Sequence, residues 1–170
     1  MSKSDSFFIR ARLNVDNNNS FQQTSIDLGA YVDALGKSVL RIHNIAVKYA
    51  DSINGVVNTN GNANATANFQ ITTQSQTQLV GLEDKSTIAT GQLIVFNDTA
   101  VVGVPSITSD AFDMSPQQWT NGYLVGVEQI YLGGAASTGF AEDVYVSVVL
   151  ECTVETLSQS AAMALALSQQ

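Results

Sequence analysis

Apolar and polar side chains alternate along most of this 170-residue chain. Every odd-numbered residue from Phe7 to Val15 is apolar, and the run ends at Asn17-Asn-Asn19. A period of two is typical of a β-strand with one buried face. The pattern therefore predicts a half-buried first strand.

The clearest alternation runs from about Asp143 to Glu155, where valines at even positions alternate with residues such as Tyr145 and Ser147. At about 3.3 Å per residue, this strand would span roughly 40 Å, more than twice the usual length. We therefore expect it to cross the whole domain. Cys152, the only cysteine, belongs to the same inward series, so we expect a buried apolar filler and no internal disulfide.

A strand predicted at roughly residues 38 to 50 changes parity along its length. Leu40 and Ile42 have even numbers, whereas Ile45, Val47 and Tyr49 have odd numbers. Both halves can turn their apolar side chains inward only if one residue is inserted, because the side-chain period of a strand is two. The sequence predicts a β-bulge near His43-Asn44.

Shorter runs predict the remaining elements. Strands are expected at about 26–32, 68–74, 77–82, 91–97, 99–104 and 121–127. Asn- and Gly-rich stretches predict loops at 51–68 and 133–139. Residues 105–121 are expected to be irregular, with one helical turn formed by Ser115, Pro116 and Gln118.

Together these elements predict an all-β fold, a single β-sandwich or jelly roll of about eight antiparallel strands with a short C-terminal helix. Thr156-Leu-Ser-Gln159 fits a capping box that would start the helix. We expect a β-sandwich domain at 1–156 and a helical arm at 157–170. The pattern does not separate a jelly roll from an immunoglobulin-like strand order.

Charge is sparse and unevenly distributed. Only 13% of residues are charged, with a net charge of −8. Residues 1–85 contain all seven Lys and Arg residues and seven acids, whereas residues 86–170 contain eight acids and no Lys or Arg. Nucleic-acid binding depends on several cations that neutralise phosphates, so we expect no direct nucleic-acid partner.

Groups for catalysis are equally scarce. His43 and Cys152 are the only residues of their types, whereas nucleophilic triads and most zinc sites need a histidine near other ligands or nucleophiles. No spacing selects a glycosidase pair among the candidate carboxylates Glu83, Asp84, Asp110, Asp113, Glu128, Glu142 and Asp143. We predict that the chain is not an enzyme.

Calcium is the one ion that the sequence leaves open. Asn14, Asp16 and Asn18 are spaced like the start of a calcium loop, but Asn19 and Ser25 replace the glycine and the glutamate that an EF-hand needs. The loop carboxylates Asp110 and Asp113 are further oxygen ligands. We expect no cofactor, with structural calcium as the alternative.

The polar, weakly charged composition is typical of an extracellular surface, yet residues 1–10 do not match a secretory signal. Only Phe7, Phe8 and Ile9 are apolar in succession before Arg10. No run approaches the 18 or more apolar residues of a membrane-spanning helix. These features favour a particle component that is assembled inside a cell and released by lysis.

In strand number, length and composition, residues 7–156 resemble the small single jelly-roll major capsid proteins of tailless icosahedral double-stranded DNA viruses. The resemblance implies two four-stranded sheets, a location in the virion, and homo-oligomeric capsomers whose termini reach into neighbouring copies. It allows for a second capsid protein and for an internal viral membrane nearby. The expected intersubunit contacts are Phe7, Phe8, Leu157, Met163, Leu165 and Leu167.

Two alternatives remain at this point. A phage tail-tube, spike or fibre component has a similar composition. A carbohydrate- or calcium-binding β-sandwich module is the other alternative, with Tyr31, Tyr123 and Trp119 as aromatic side chains that stack on sugars.

Overall fold

Nine strands and one helix occur in residues 4–33, 35–114 and 119–170, which are the residues that this computed structural model describes. All strand pairings are antiparallel. The elements are β1 (Phe7–Asn14), β2 (Gln22–Asp27), β3 (Ser38–Ala50), β4 (Asn64–Thr72), β5 (Thr87–Phe96), β6 (Ile107–Met114), β7 (Tyr123–Val125), β8 (Gln129–Ala136), β9 (Tyr145–Thr156) and α1 (Gln159–Ser168).

The strands form two sheets in a jelly-roll order. Sheet A has the order β1-β9-β3-β7, and sheet B has the order β2-β8-β4-β5-β6. The chain crosses between the sheets from β1 to β2, from β2 to β3 and from β3 to β4. It crosses again from β6 to β7, from β7 to β8 and from β8 to β9. Two interleaved four-stranded sets of this kind make a jelly roll, to which β6 adds an edge strand beside β5. The strand order therefore decides between the two topologies that the sequence left open.

The core lies between the two sheets. On sheet A, Val146, Val148 and Leu150 of β9 are all at most 1% exposed, and Phe69 and Leu132 of sheet B are equally buried. Burial of each such side chain stabilises the fold by roughly 1.5–3 kcal/mol. The predicted strand-crossing valine row is confirmed, and it lies at the centre of sheet A between β1 and β3.

The bulge predicted in β3 is confirmed. Ile42 pairs with Cys152, whereas Asn44 pairs with Glu151, so His43 is the extra residue. Leu40 before the bulge and Ile45 after it are both fully buried. The insertion keeps both apolar halves of the strand turned towards the core.

Two of the predicted strands are wrong. Residues 77–82 form a loop, because the backbone of Gln78 and Val80 bonds with the side-chain amide of Gln70 instead of with another strand. Residues 99–104 are also a loop, in which Gly103 alone makes an isolated bridge with Thr59.

Three predicted loop or irregular regions contain strand. β6 occupies 8 residues of the stretch 105–121 that was expected to be irregular, and β4 begins at Asn64 inside the predicted loop. Gly133 and Gly134 lie in β8, where a Cβ on Gly134 would come within 2.4 Å of the Asn68 carbonyl oxygen. Glycine is needed there because two strands approach closely, which is the strand-interior role of glycine. The helical turn predicted at 115–118 lies outside the described residues.

The terminal helix begins later than predicted. Its N-cap is Ser158, whose side chain accepts a hydrogen bond from the Ala161 amide, and not Thr156, which is the last residue of β9. Ala162 and Ala166 are buried. α1 has ten residues, and the described part of the chain contains no helix that would reach across a lipid bilayer.

The two ends of the sandwich differ. We call the set of loops 15–21, 51–63, 97–106 and 137–144 the loop end; they are joined by bonds such as Asn60 N to Gly139 O and Asn17 Nδ2 to Phe140 O. We call the opposite end, with loops 28–37, 73–86 and 126–128 and the helix, the helix end.

Candidate intersubunit surfaces

The structure separates the predicted contact residues into two groups. Phe8, Met163 and Leu167 are 53%, 43% and 69% exposed. Phe7, Leu157 and Leu165 are half-buried within the chain itself. Phe7 stacks on Tyr31 with ring centroids 4.6 Å apart and packs against the core. The first group therefore supplies the side chains with free apolar surface.

Met163 and Leu167 lie one turn apart on the exposed side of α1. The helix beneath them is fixed by Gln169, which is 4% exposed. Its Oε1 accepts a hydrogen bond from the Gly126 amide at 2.7 Å, and its Nε2 donates to the Leu124 carbonyl at 2.7 Å. Its own carbonyl accepts from Thr73 Oγ1 at 3.0 Å, so the helix is bonded to both sheets. Sequence reasoning missed Gln169, because nothing in an Ala- and Leu-rich stretch distinguishes an anchoring glutamine from a solvated one.

The loop end presents a second apolar surface that the sequence analysis did not identify. Its side chains are between 55% and 83% exposed, and they are Ile53, Val56, Val101, Val102 and Val104, followed by Ile107 at the start of β6. Contiguous exposed apolar side chains of this kind mark interaction sites. The run Val101-Val-Gly-Val104 is the available signal, but among the alternating segments of this chain it predicts a strand at 99–104.

These loops are supported by hydrogen bonds. Thr59 and Gly103 exchange two backbone bonds of 2.8 and 3.1 Å, which join loop 51–63 to loop 97–106. The buried side chain of Asn97 donates to the Val101 carbonyl at 2.9 Å and accepts from the Thr99 amide at 3.0 Å. The apolar side chains are therefore held on a bonded framework.

A third surface is the outer side of sheet A. The strand register arranges it as a grid of three rows across β1, β9 and β3. We call this grid the A face, and its rows are Phe8–Glu151–Asn44, Arg10–Val149–Ala46 and Arg12–Ser147–Lys48. An apolar centre lies among three cations and one acid, a composition that resembles interface cores with aromatic and arginine anchors.

Below the A face, Arg41 and Glu155 form a two-point ion pair. Arg41 Nε and Nη2 donate to the two carboxylate oxygens of Glu155 at 2.8 Å each, and Glu155 is only 3% exposed. The hydrogen bond with Glu155 raises the pKa of Arg41, although burial opposes the rise. Arg41 Nη1 also donates to the Asn121 carbonyl, so the guanidinium ties residue 121 to the sheet.

Two cavities adjoin sheet A. One of about 500 Å³ is lined by Arg41, His43, Thr120, Asn121 and Glu155. Because Glu155 neutralises Arg41 there, this cavity is not arranged to bind an anion. The other, of about 340 Å³, opens between the sheets where β7 ends, and it is lined by Val47, Lys48, Tyr49, Asn54, Gly55, Val56, Val57, Phe69, Gln92, Leu93 and Thr108.

The candidate chemical groups are dispersed. Within the described residues, no three His, Cys, Asp or Glu side chains come together to hold a metal ion. The side chains of Asp110 and Asp113, the calcium candidates, lie outside what the structure describes. Cys152 is fully buried, and burial raises the pKa of its thiol to about 12. His43 Nε2 lies 2.8 Å from Thr153 Oγ1.

Of the three aromatic residues considered for sugar binding, two lie together. The rings of Trp119 and Tyr123 are 5.1 Å apart and tilted by 31°. Burial raises the pKa of the Tyr123 hydroxyl, and a hydrogen bond from Gln169 partly offsets the rise. Tyr31 lies elsewhere, stacked on Phe7.

Solved structures that the chain resembles are viral capsid jelly rolls. VP1 of Trichodysplasia spinulosa-associated polyomavirus is 7% identical over 88% of this chain and 95% of that chain, with a TM-score of 0.46. The structure of Cocksfoot mottle virus is 9% identical over 93% of this chain and 100% of that chain, with a TM-score of 0.40. The unassembled VP1 pentamer of Washington University polyomavirus is 7% identical over 89% of this chain and 93% of that chain, with a TM-score of 0.44. The jelly-roll assignment of this chain rests on its strand order.

No protein-family model and no curated protein matches the chain.

Proposed function

We propose that this chain is a virion structural protein, a capsid subunit that assembles with copies of itself into a shell. The observation that carries the proposal is the display of apolar side chains on firmly bonded supports at two places, the loop end and the outer side of α1. A monomeric protein rarely exposes large contiguous apolar surface, because water disfavours it.

The mechanism is geometric. The sandwich keeps its shape through the buried rows of both sheets, while Phe8, Met163, Leu167 and the loop-end valines contact neighbouring copies. A stable contact buries about 1,200 Å² or more in total. The half-buried residues Phe7, Leu157 and Leu165 would then act mainly by holding these surfaces in place. The proposal needs only copies of this chain, so a second capsid protein or an internal membrane would be an addition to it.

Electron microscopy of the purified protein, combined with sedimentation across concentration and salt, tests the proposal. We expect closed shells or capsomers. The double variant Met163→Gln/Leu167→Gln should lower the assembled fraction without lowering the melting temperature, because both side chains are exposed. Ala164→Gln on the same helix is the matched control and should assemble normally. A wild-type chain that stays monomeric under every condition would contradict the proposal. Stacked rings or trimers would instead favour the tail-tube, spike or fibre alternative.

A second candidate function, carbohydrate binding, is favoured by one observation, the Trp119–Tyr123 pair next to Thr120 and Asn121, which line the polar cavity. Sugars bind to proteins through aromatic stacking combined with hydrogen bonds from such polar groups. A glycan array with calcium added or withheld tests this candidate, with Trp119→Ala as the variant that should lose any signal and Tyr31→Ala as the control that should keep it.

A further inference from the structure

The A face has the opposite charge to the rest of the molecule. It carries Arg10, Arg12 and Lys48 against Glu151, a sum of +2. Because the whole chain has a net charge of −8, all remaining residues together carry −10. Arg10 and Lys48 are exposed, and so are Phe8 in the row beside Arg10 and Ala46 in the row beside Lys48.

The loop end has the complementary composition. Its four loops contain five acids and no Lys or Arg, and Asp98 and Glu142 are exposed among the apolar side chains of the same end. The helix end differs, because Lys37 and Lys85 are interspersed with its acids. One surface of the molecule is therefore basic with an apolar centre, and another is acidic with an apolar centre.

We propose that the loop end of one copy packs against the A face of the next copy. This inference rests on the proposed function and names the two surfaces of its principal contact. Asp98 and Glu142 would face Arg10 and Lys48, while the exposed valines would cover Phe8, Val149 and Ala46. A contact between two different surfaces is heterologous, and repetition of it closes a ring or extends a lattice.

A second copy explains the A face better than an anionic polymer or membrane does. Three cations beside a glutamate are few for phosphate binding, which scales with the number of charges neutralised. Phosphate would also leave the apolar centre of the face unused, whereas the loop end offers acids and apolar side chains together.

A charge exchange tests the contact. The A-face pair Arg10→Glu/Lys48→Glu and the loop-end pair Asp98→Lys/Glu142→Lys should each lower the assembled fraction at least tenfold at low salt. The two pairs combined should restore assembly, because opposite charges again face each other. Glu83→Lys/Glu128→Lys, at the helix end, makes the same change in net charge as the loop-end pair and is the matched control for it, which should assemble normally. Thermal melts verify folding; Arg10→Gln/Lys48→Gln replaces the A-face pair if that pair fails to fold, and Asp98→Asn/Glu142→Gln replaces the loop-end pair.

The outcomes separate the inference from the proposed function. If the wild-type chain never assembles, the proposed function fails and the contact fails with it. If the wild type assembles but the single pairs have no effect, or the combined variant is not rescued, the inference is overturned and the proposed function stands. If the A-face pair abolishes binding to duplex DNA or to phosphatidylserine vesicles and leaves assembly intact, the face serves that other partner and the inference is again overturned.

Discussion

The outer sides of the two sheets differ in what covers them. On sheet B, residues 73–86 fold back over the strands, and Gln70 beneath them is 1% exposed. Its amide donates to the Gln78 carbonyl at 3.2 Å and accepts from the Val80 amide at 2.8 Å. On sheet A, Arg10, Arg12 and Lys48 are exposed, and the only hydrogen bonds that the described residues give to their charged groups are with backbone carbonyls, from Arg12 to Asp51 and Ser52 and from Lys48 to Asn54.

The difference follows from what each kind of side chain costs to bury. A neutral amide can be buried once its hydrogen bonds are made, whereas a charge is far more costly to remove from water. Sheet B therefore covers the part of its outer side around Gln70 with its own loop, and sheet A keeps exposed charged groups that a partner can reach. Where sheet A does bury a charge, at Glu155, it supplies Arg41 beside it.

The largest expected effect comes from breaking that ion pair. Arg41→Met should lower the free energy of unfolding by about 3–5 kcal/mol, because it leaves the carboxylate of Glu155 buried without its guanidinium. Arg10→Met, on the exposed A face, is the control and should change it by no more than about 0.5 kcal/mol. Urea denaturation measures both. Equal effects of the two variants would mean that burial does not distinguish the two arginines.

An intermediate effect is expected on sheet B. Gln70→Ala should lower the free energy of unfolding by about 1–3 kcal/mol, because the Gln78 carbonyl and the Val80 amide lose their hydrogen-bond partner. Gln92→Ala, a half-buried position on the neighbouring strand β5, is the control. The cost at Gln70 should be the same in low and high salt, since no charge is involved. A strong salt dependence would show that sheet B is not closed by neutral bonding alone.

The smallest effect concerns the inner side of sheet A. Burial holds the pKa of Cys152 near 12, above its ordinary value of 9.0, so the folded state disfavours the thiolate. The contribution of the protonated Cys152 thiol to the free energy of unfolding is complete below about pH 9, and it is lost as the pH rises from 9 towards 12. By pH 10 the free energy of unfolding of the wild type should have fallen by about 1 kcal/mol more than that of Cys152→Val. Melting temperatures of the two proteins measured from pH 7 to pH 10 check this, and parallel curves would contradict it.

The sequence predicted the elements that depend on local pattern. The alternation in β9 and the parity change at His43 both record which side chains face the core, so the strand and the bulge could be predicted without the structure. The edge strand β6 could not, because Ile-Thr-Ser-Asp has no clear alternation at a position that packs on one neighbour only.

The candidate surfaces were harder to predict, because they depend on which segments meet. Phe8, Met163 and Leu167 were among the predicted contact residues and are exposed, but the same reasoning also selected Phe7, Leu157 and Leu165, which are half-buried, because a sequence does not show which apolar residues pack within the chain. The A face requires the register of three strands that are distant along the chain, and the loop end requires the pairing of Thr59 with Gly103. Neither long-range pairing has a local signature.

The bridge between Thr59 and Gly103 has a consequence for divergence. Because two loops from different parts of the chain share backbone bonds, an insertion or deletion in one would break the register of the other. In homologous chains, we therefore expect changes of length in loops 51–63 and 97–106 to occur together. The solvated turns elsewhere in the molecule should vary in length independently.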